Sequence, residues 1–163
     1  MARLLGLPRG RRLLELSCGR GNALPALTRM LRPRCLVGID IDRALLLEAS
    51  TGVAANALSV DLVLADARWM PFRDGAFGLV IDFGTCYHIG RPQLALREVQ
   101  RVLSDEGTFA YETPANQLLS HPIRSVGRSL PWDAAQSLRP QRWRVLWSSR
   151  VKVRRAKELW QSA

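Results

Sequence analysis

Short apolar runs alternate with amphipathic segments along the first two thirds of the chain, and this pattern limits the possible folds more than any other feature. The runs are nearly continuous in apolar residues and too short for helices, which is typical of strands buried on both faces. Strands that alternate with helices predict an α/β fold with a doubly wound, mostly parallel central sheet and helices on both faces. The predicted strands are 12–17, 35–39, 60–64, 77–83 and 108–113, and the predicted helices are 22–31, 43–55 and 93–103.

Polar residues and prolines set the expected ends of the helices. Asn22 is a suitable N-cap for the first helix, and Pro25 then falls in its first turn, where a missing N–H costs little. Asp42 is expected to cap the second helix in the same way. The connection 65–76 has no helical periodicity, so we expect it to cross the sheet with little regular structure.

The chain is expected to form a single domain, because it has 163 residues and 47% of them belong to the hydrophobic set. The clear pattern covers about residues 12–113, which form the expected core. Residues 114–163 are expected to be a variable segment that contacts the substrate, and their pattern is weaker. Within them the sequence predicts a broken helix over 115–130, a short helix over 133–138 and a strand over 142–147.

Positive charge is concentrated in the last part of the chain. The net charge is +10, of which residues 1–113 contribute +2 (14 basic, 12 acidic) and residues 114–163 contribute +8 (10 basic, 2 acidic). Arginines and tryptophans in the second segment could grip phosphates and stack on bases, which makes nucleic acid one candidate partner. Alternatively, the arginines are solvated surface residues and the tryptophans belong to the core. The sequence does not predict the oligomeric state.

Neither a metal site nor a membrane segment is expected. The chain has three cysteines, Cys18, Cys35 and Cys86, and two histidines, His88 and His121, without a Cys-x-x-Cys pair. No apolar stretch is long enough to span a bilayer, and the N-terminus MARLLGLPRGRR lacks the apolar run of a secretory signal. The sequence therefore predicts a cytoplasmic protein with no membrane partner.

The glycine-containing turn SCGRG, residues 17–21, follows directly on the first predicted strand. Gly19 and Gly21 lack a Cβ, so the main chain can adopt unusual dihedral angles and approach a ligand closely. The turn leads to the N-terminus of a helix, whose free N–H groups favour electronegative atoms. Ligands of open parallel sheets bind at the carboxyl ends of the strands, and this turn therefore predicts a ligand site.

Acidic side chains lie at the same end of the predicted strands. Asp40 ends the second strand, 19 residues after Gly21, where dinucleotide-binding folds place an acid that accepts the ribose hydroxyls. Asp66 and Asp82 end the third and fourth strands, and Glu15 lies in the first. Four carboxylates at one edge are costly to desolvate, so a donor-rich and partly cationic ligand is expected. A third glycine for nicotinamide binding and a Walker A lysine are both absent.

Four segments carry this turn and these acids: ELSCGRGN, LVGIDID, LADARWMPFRDGAFGLVID and REVQRVLSDEGTFAY. Together they resemble the motifs of class I S-adenosylmethionine-dependent methyltransferases (the type 11 methyltransferase domain), over about residues 13–113. The resemblance implies the Rossmann-like methyltransferase fold and S-adenosyl-L-methionine as cofactor, with S-adenosyl-L-homocysteine as product. It also implies transfer of a methyl group to an unidentified acceptor, which we expect to be a small molecule.

The resemblance further implies roles for individual residues. For the cofactor these are Glu15, Ser17, Cys18, Gly19 and Gly21 at its amino-acid end, Asp40 at the ribose, Ile41, Asp66 and Ala67 at the adenine, and Asp82 and Phe83 near the methyl group. His88 or Tyr87 is expected to orient or deprotonate the acceptor, with Asp82 as a further candidate. Structural alternatives stay open: His88 held by a carbonyl, Asp82 capping the next turn, Asp66 as an exposed loop acid, and Glu15 paired with an arginine.

Three positions depart from the family pattern. Ser17 stands where a glycine is usual, Gly78 stands where an acid is usual, and residues 105–107 replace a Pro-Gly-Gly type of turn. The chain begins almost at the first strand, so the helix that often lids the cofactor is expected to be missing or very short. Two alternative functions remain: a protein of this fold that binds S-adenosylmethionine with little or no catalysis, and an RNA methyltransferase that uses the basic segment 114–163.

Overall fold

The computed structural model describes residues 7–86 and 88–111, and the backbone of 152–155. In chain order the elements of these residues are β1 (Arg12–Leu16), α1 (Leu24–Leu31), β2 (Cys35–Asp40), α2 (Arg43–Ala55), β3 (Asp61–Leu64), β4 (Phe77–Asp82), α3 (Pro92–Val102), β5 (Leu103–Tyr111) and β6 (Lys152–Arg155). The strands form one sheet in the order β3-β2-β1-β4-β5-β6. β1 to β5 run parallel, and β6 pairs antiparallel with β5.

The strand order reverses at β1, which pairs with β2 on one side and β4 on the other. Leu13 and Leu36 lie on the same sheet face as the buried leucines of α1. Leu14 lies on the opposite face, where Val99 of α3 packs against the sheet. The sheet is therefore open and covered by helices on both faces, as predicted. A ligand crevice is expected at the carboxyl ends of the strands beside this reversal.

The helices and strands predicted within residues 12–113 are confirmed, with shifts at their ends. Asp42 caps α2 as expected, because its Oδ1 accepts hydrogen bonds from the backbone N–H groups of Ala44 (2.8 Å) and Leu45 (3.3 Å). The prediction that Asn22 caps α1 is wrong, since Ala23 holds that position without a side-chain hydrogen bond. The reason is local: a backbone turn leads into the helix, with the Leu24 N–H bonded to the Gly21 carbonyl at 3.1 Å.

The fifth strand begins earlier than expected, at Leu103 rather than Thr108. A register shift opposite Phe77 and Leu79 admits the exposed residues Asp105 and Glu106 into the strand. These acids interrupt the apolar pattern, and the pattern alone therefore could not place the start of β5. The predicted helices over 115–130 and 133–138 and the strand over 142–147 lie outside the described residues.

The connection 65–76 contains no helix, as predicted, and α3 holds it in place. The Arg101 guanidinium donates hydrogen bonds to the carbonyl oxygens of Phe72 (2.6 Å) and Met70 (3.0 Å) and to Asp74 Oδ1 (2.9 Å). Glu98 binds the same guanidinium and accepts the Met70 N–H at 2.7 Å. This network fixes the connection that carries Asp66 to the rim of the sheet.

None of the helices in the described residues combines the length and apolar character needed to cross a membrane.

Candidate functional site

The turn after β1 and the end of β2 meet at the carboxyl rim of the sheet. The Gly19 N–H donates to Asp40 Oδ2 at 2.8 Å, and the Asp42 N–H donates to Asp40 Oδ1 at 2.9 Å. Asp40 is only 6% exposed, and these two bonds fix the orientation of its carboxylate. Each carboxylate oxygen can accept about two hydrogen bonds, so each retains capacity for one further donor.

The backbone of the turn adopts left-handed dihedral angles at three positions, Ser17 (φ 47°), Gly19 (φ 54°) and Gly21 (φ 74°). The Cys18 N–H donates to the Ile39 carbonyl at 2.8 Å, which binds the turn to β2. A left-handed conformation costs a residue with a Cβ about 1–2 kcal/mol. This explains why glycine is usual at the position that Ser17 holds here.

Glycine is favoured at positions 19 and 21 of the turn for two different structural reasons. A Cβ added at Gly19 would meet no atom within 4 Å, so open space lies beside this residue. A Cβ at Gly21 would lie 2.8 Å from Leu24 Cδ1 and 3.2 Å from Ala49 Cβ. Gly21 is therefore required for packing between the turn, α1 and α2, whereas Gly19 leaves room for a ligand.

Cys18 packs its side chain into the space that a glycine in β2 leaves free. A Cβ added at Gly38 would lie 2.9 Å from Cys18 Sγ and 3.1 Å from Cys18 Cβ. Burial, together with the nearby carboxylates of Glu15 and Asp40, raises the pKa of the Cys18 thiol to about 12. The thiol is thus protonated near neutral pH, and its described contacts position the turn.

We expect Gly38→Ala to lower the free energy of unfolding by about 1–3 kcal/mol, because overpacking forces the Cys18 side chain and the turn to move. Urea denaturation measures this loss. In the double variant Cys18→Ala with Gly38→Ala, removal of the sulfur should restore part of the lost stability. Strict additivity of the two single effects would show that the two side chains do not share this space.

Glu15 is a buried acid in the middle of the sheet. It lies in β1 between Gly38 of β2 and Ile81 of β4, and it is 3% exposed. Its Oε2 atom finds no hydrogen-bond partner among the described residues. Burial raises the pKa of Glu15 from 4.5 to about 8. An ammonium group from a ligand would provide the opposite charge that this carboxyl lacks.

The residues assigned to the adenine lie beyond the ends of β2 and β3. Ile41 follows Asp40 and is 66% exposed, which leaves an apolar surface at the rim, whereas Ala67 is buried. Asp66 is bound by its neighbour: its Oδ2 lies 2.6 Å from Arg68 Nη2, and hydrogen bonds from the Arg68 side chain are the main cause that lowers the Asp66 pKa. The contact of Arg68 with Asp66 is not among the features predicted from the sequence, although an arginine two residues after a carboxylate is a visible signal of such a pair.

Asp82 caps the turn that follows β4. Its carboxylate accepts hydrogen bonds from the backbone N–H groups of Gly84 (2.9 Å), Thr85 (2.6 Å) and Cys86 (3.0 Å). This is the capping role that the sequence left open as an alternative. Any contact of Asp82 with the cofactor or the acceptor stays a proposal.

The candidate acceptor residues follow this turn. His88 is exposed, and its backbone N–H donates to the Thr85 carbonyl at 2.9 Å. Phe83 is half-buried and packs against the cluster of apolar residues beneath α1. Tyr87 lies outside the described residues. Over 7–86 and 88–111, no group of His, Cys, Asp and Glu side chains is arranged to hold a metal ion.

The chemistry of the rim fits a nucleoside with a cationic group. The pinned carboxylate of Asp40 can accept two further donors, as vicinal hydroxyls require, and Gly19 leaves space beside it. The Oε2 atom of Glu15, which has no hydrogen-bond partner among the described residues, would be satisfied by a hydrogen-bond donor of the ligand. The strand order 3-2-1-4-5 with an antiparallel last strand is that of the class I methyltransferase domain, whose cofactor is S-adenosyl-L-methionine.

The sequence profile of the family described as methyltransferase domain matches residues 14–111, and the chain belongs to this family. A solved S-adenosylmethionine-dependent methyltransferase from Aquifex aeolicus has the same fold, with a TM-score of 0.62 at 22% identity over 67% of this chain and 59% of that chain.

Two curated relatives are named for their substrates. The phthiotriol/phenolphthiotriol dimycocerosates methyltransferase 1 of Mycobacterium ulcerans is 36% identical over 131 residues, which cover 74% of this chain and 45% of the relative. The fatty-acid O-methyltransferase of Mycolicibacterium smegmatis is 32% identical over 107 residues, which cover 63% of this chain and 36% of the relative. The chain thus spans less than half the length of these relatives.

Proposed function

We propose that this protein transfers the methyl group of S-adenosyl-L-methionine to an oxygen atom of a lipid-type small molecule. The methyltransferase part of the proposal is carried by the Asp40 carboxylate. Each of its two oxygens accepts a hydrogen bond from one backbone N–H and can accept one more, as the two hydroxyls of a ribose require. The acceptor class is supported by the relatives that are named for phthiotriol dimycocerosates and fatty acids. Both names describe long apolar molecules that carry oxygen.

The bound cofactor supplies an activated methyl carbon on a sulfonium sulfur. In this proposal the protein holds the cofactor through the roles already assigned: Asp40 binds the ribose hydroxyls, Ile41 and Asp66 bind the adenine, and Glu15 and the turn 17–21 bind the amino-acid end. Because the carbon is already activated, alignment of donor and acceptor and exclusion of water provide most of the rate.

His88 is the residue that we place beside the acceptor oxygen. It is exposed on the segment after β4, next to the rim where strands β1 and β4 end. A hydroxyl acceptor must lose a proton during the transfer, and a nitrogen of the imidazole ring can accept it. A carboxylate acceptor is already ionised, so for that acceptor His88 would only orient the oxygen.

The proposal is tested by incubating the protein with methyl-labelled S-adenosyl-L-methionine and separate pools of fatty acids, long-chain diols, small polar phenols and RNA. We expect label in the lipid fraction and S-adenosyl-L-homocysteine in equal amount. Label in RNA, or binding of the cofactor without transfer to any pool, would contradict the proposed acceptor and support one of the two alternative functions. The segment 114–163, on which the RNA alternative depends, lies almost wholly outside the described residues.

A further inference from the structure

The guanidinium of Arg68 covers the carboxylate that is assigned to the adenine. Asp66 Oδ1 accepts from the Arg68 backbone N–H at 2.8 Å and from Nε at 3.0 Å, and Asp66 Oδ2 accepts from Nε at 3.1 Å and Nη2 at 2.6 Å. A carboxylate offers about four acceptor positions. Three N–H groups of Arg68 occupy most of them, with the Nε–H shared between both oxygens, so a ligand's amino group must compete with this residue for the carboxylate.

The same guanidinium lies over an exposed aromatic ring. The Arg68 Cζ atom is 5.0 Å from the ring centroid of Trp69, which is 62% exposed. Asp66 and Trp69 form an isolated antiparallel bridge, and residues paired in this way direct their side chains to the same face. The carboxylate, the guanidinium and the indole therefore form one cluster at the rim.

This cluster lies within reach of the ribose site. The Ala65 N–H donates to the Asp40 carbonyl at 3.0 Å, and Leu64 is the register partner of Asp40 in β3. Asp66 therefore lies only two residues beyond Leu64, the residue that is paired with Asp40. The side chains of Ile41, directly after Asp40, and of Trp69, three residues after Asp66, are both exposed.

An arginine side chain and an adenine ring present similar groups to such a cluster. Both are planar, both stack on aromatic rings, and both direct N–H donors outward in the plane of the group. Given the proposed assignment of Asp66 to the adenine, on which this step rests, we propose that Arg68 occupies the adenine subsite in the unliganded protein and competes with the cofactor. Trp69 is the surface on which the adenine stacks once Arg68 has left.

The displaced guanidinium has a second acceptor nearby. Arg68 Nη1 already lies 3.4 Å from the Gly90 carbonyl, in the segment that carries His88. Movement from Asp66 toward Gly90 keeps the charge hydrogen-bonded while it opens the subsite. Arg68 thereby acts on cofactor affinity: only the fraction of molecules with an open subsite binds the adenine, and the apparent affinity falls by that fraction.

The test is calorimetric titration with S-adenosyl-L-homocysteine. We expect Arg68→Met to bind about fivefold or more tightly than the unsubstituted protein, since the competing ion pair is gone. Arg73→Met removes the same charge from an exposed position of the same connection and should leave the affinity within about twofold. Trp69→Ala should weaken binding about fivefold or more, because the stacking surface is lost.

A salt titration of the unsubstituted protein tests the same competition without any substitution. Salt screens an ion pair at 28% and 21% side-chain exposure, so affinity should rise with added sodium chloride, and Arg68→Met should lack that rise. Equal or weaker binding by Arg68→Met, with clear binding by the unsubstituted protein, overturns the competition and leaves the proposed function standing. Absence of binding by both proteins instead overturns the proposed function.

Discussion

Asp40→Ala is expected to bind S-adenosyl-L-homocysteine at least about 100-fold more weakly than the unsubstituted protein. Two ribose hydroxyls would lose charge-assisted hydrogen bonds, each worth about 1.5–3 kcal/mol, and 2.7 kcal/mol corresponds to about 100-fold in affinity. The substitution also leaves the N–H groups of Gly19 and Asp42 without their acceptor, so the turn loses one of its two backbone links to β2 and keeps the bond from Cys18 to Ile39. Calorimetric titration measures the affinity, and thermal unfolding shows how much stability is lost.

Asp42→Ala is the matched control for this variant. Asp42 carries the same charge two residues later, but its side chain caps α2 and is exposed. Loss of the cap should cost about 1 kcal/mol of stability. Cofactor affinity should stay within about threefold, because the Asp42 backbone N–H that pins Asp40 is retained. If Asp40→Ala binds the product as well as Asp42→Ala does, the ribose assignment is wrong.

The order of elements could be predicted from the sequence because it depends on local patterns. The Asp42 cap and the continuous apolar strands each depend on residues that are neighbours in the chain. The position of Asp40 at the rim follows from the end of β2, and its distance from Gly21 identified the acid that the turn binds through Gly19. In these cases local propensity and the final fold agree.

The remaining features depend on residues far apart in sequence. Gly21 faces Ala49 of α2, and Gly38 faces Cys18, so neither reason for glycine is visible in a local window. The start of α1 was misplaced because backbone hydrogen bonds of the turn replaced the side-chain cap that Asn22 suggested. Side-chain pairing of this kind is decided by packing after the elements have formed.

The proposed site at the rim combines a rigid contact with a competing one. Asp40 is fixed by two backbone donors before any ligand arrives, so its orientation needs no rearrangement. Asp66 is bound by the Arg68 side chain, which the adenine has to displace if the proposed assignment holds. In the proposed site, preorganisation of Asp40 favours ribose binding, whereas the Arg68 contact with Asp66 weakens adenine binding.

Glu15→Gln is expected to raise the free energy of unfolding at high pH by about 3–5 kcal/mol. Burial raises the pKa of Glu15 from 4.5 to about 8, so the folded protein holds a proton that the unfolded chain releases. The stability associated with this proton is fully present below about pH 4.5 and is lost as the pH rises through about 8. A difference of about 3.5 pKa units corresponds to about 5 kcal/mol. Glutamine stays neutral throughout and lacks this loss.

Urea denaturation at about pH 5 and about pH 9 measures the effect. The two proteins should have similar stabilities at the lower pH, and Glu15→Gln should be the more stable at the higher pH. Glu106→Gln, at an exposed position of β5, serves as the control and should follow the unsubstituted protein at both values. Parallel profiles for Glu15→Gln and the unsubstituted protein would mean that the buried carboxyl has a charged partner. A ligand ammonium is the partner that the proposed function predicts, so saturation with S-adenosyl-L-homocysteine should reduce the loss of stability at high pH, and only in the protein that retains Glu15.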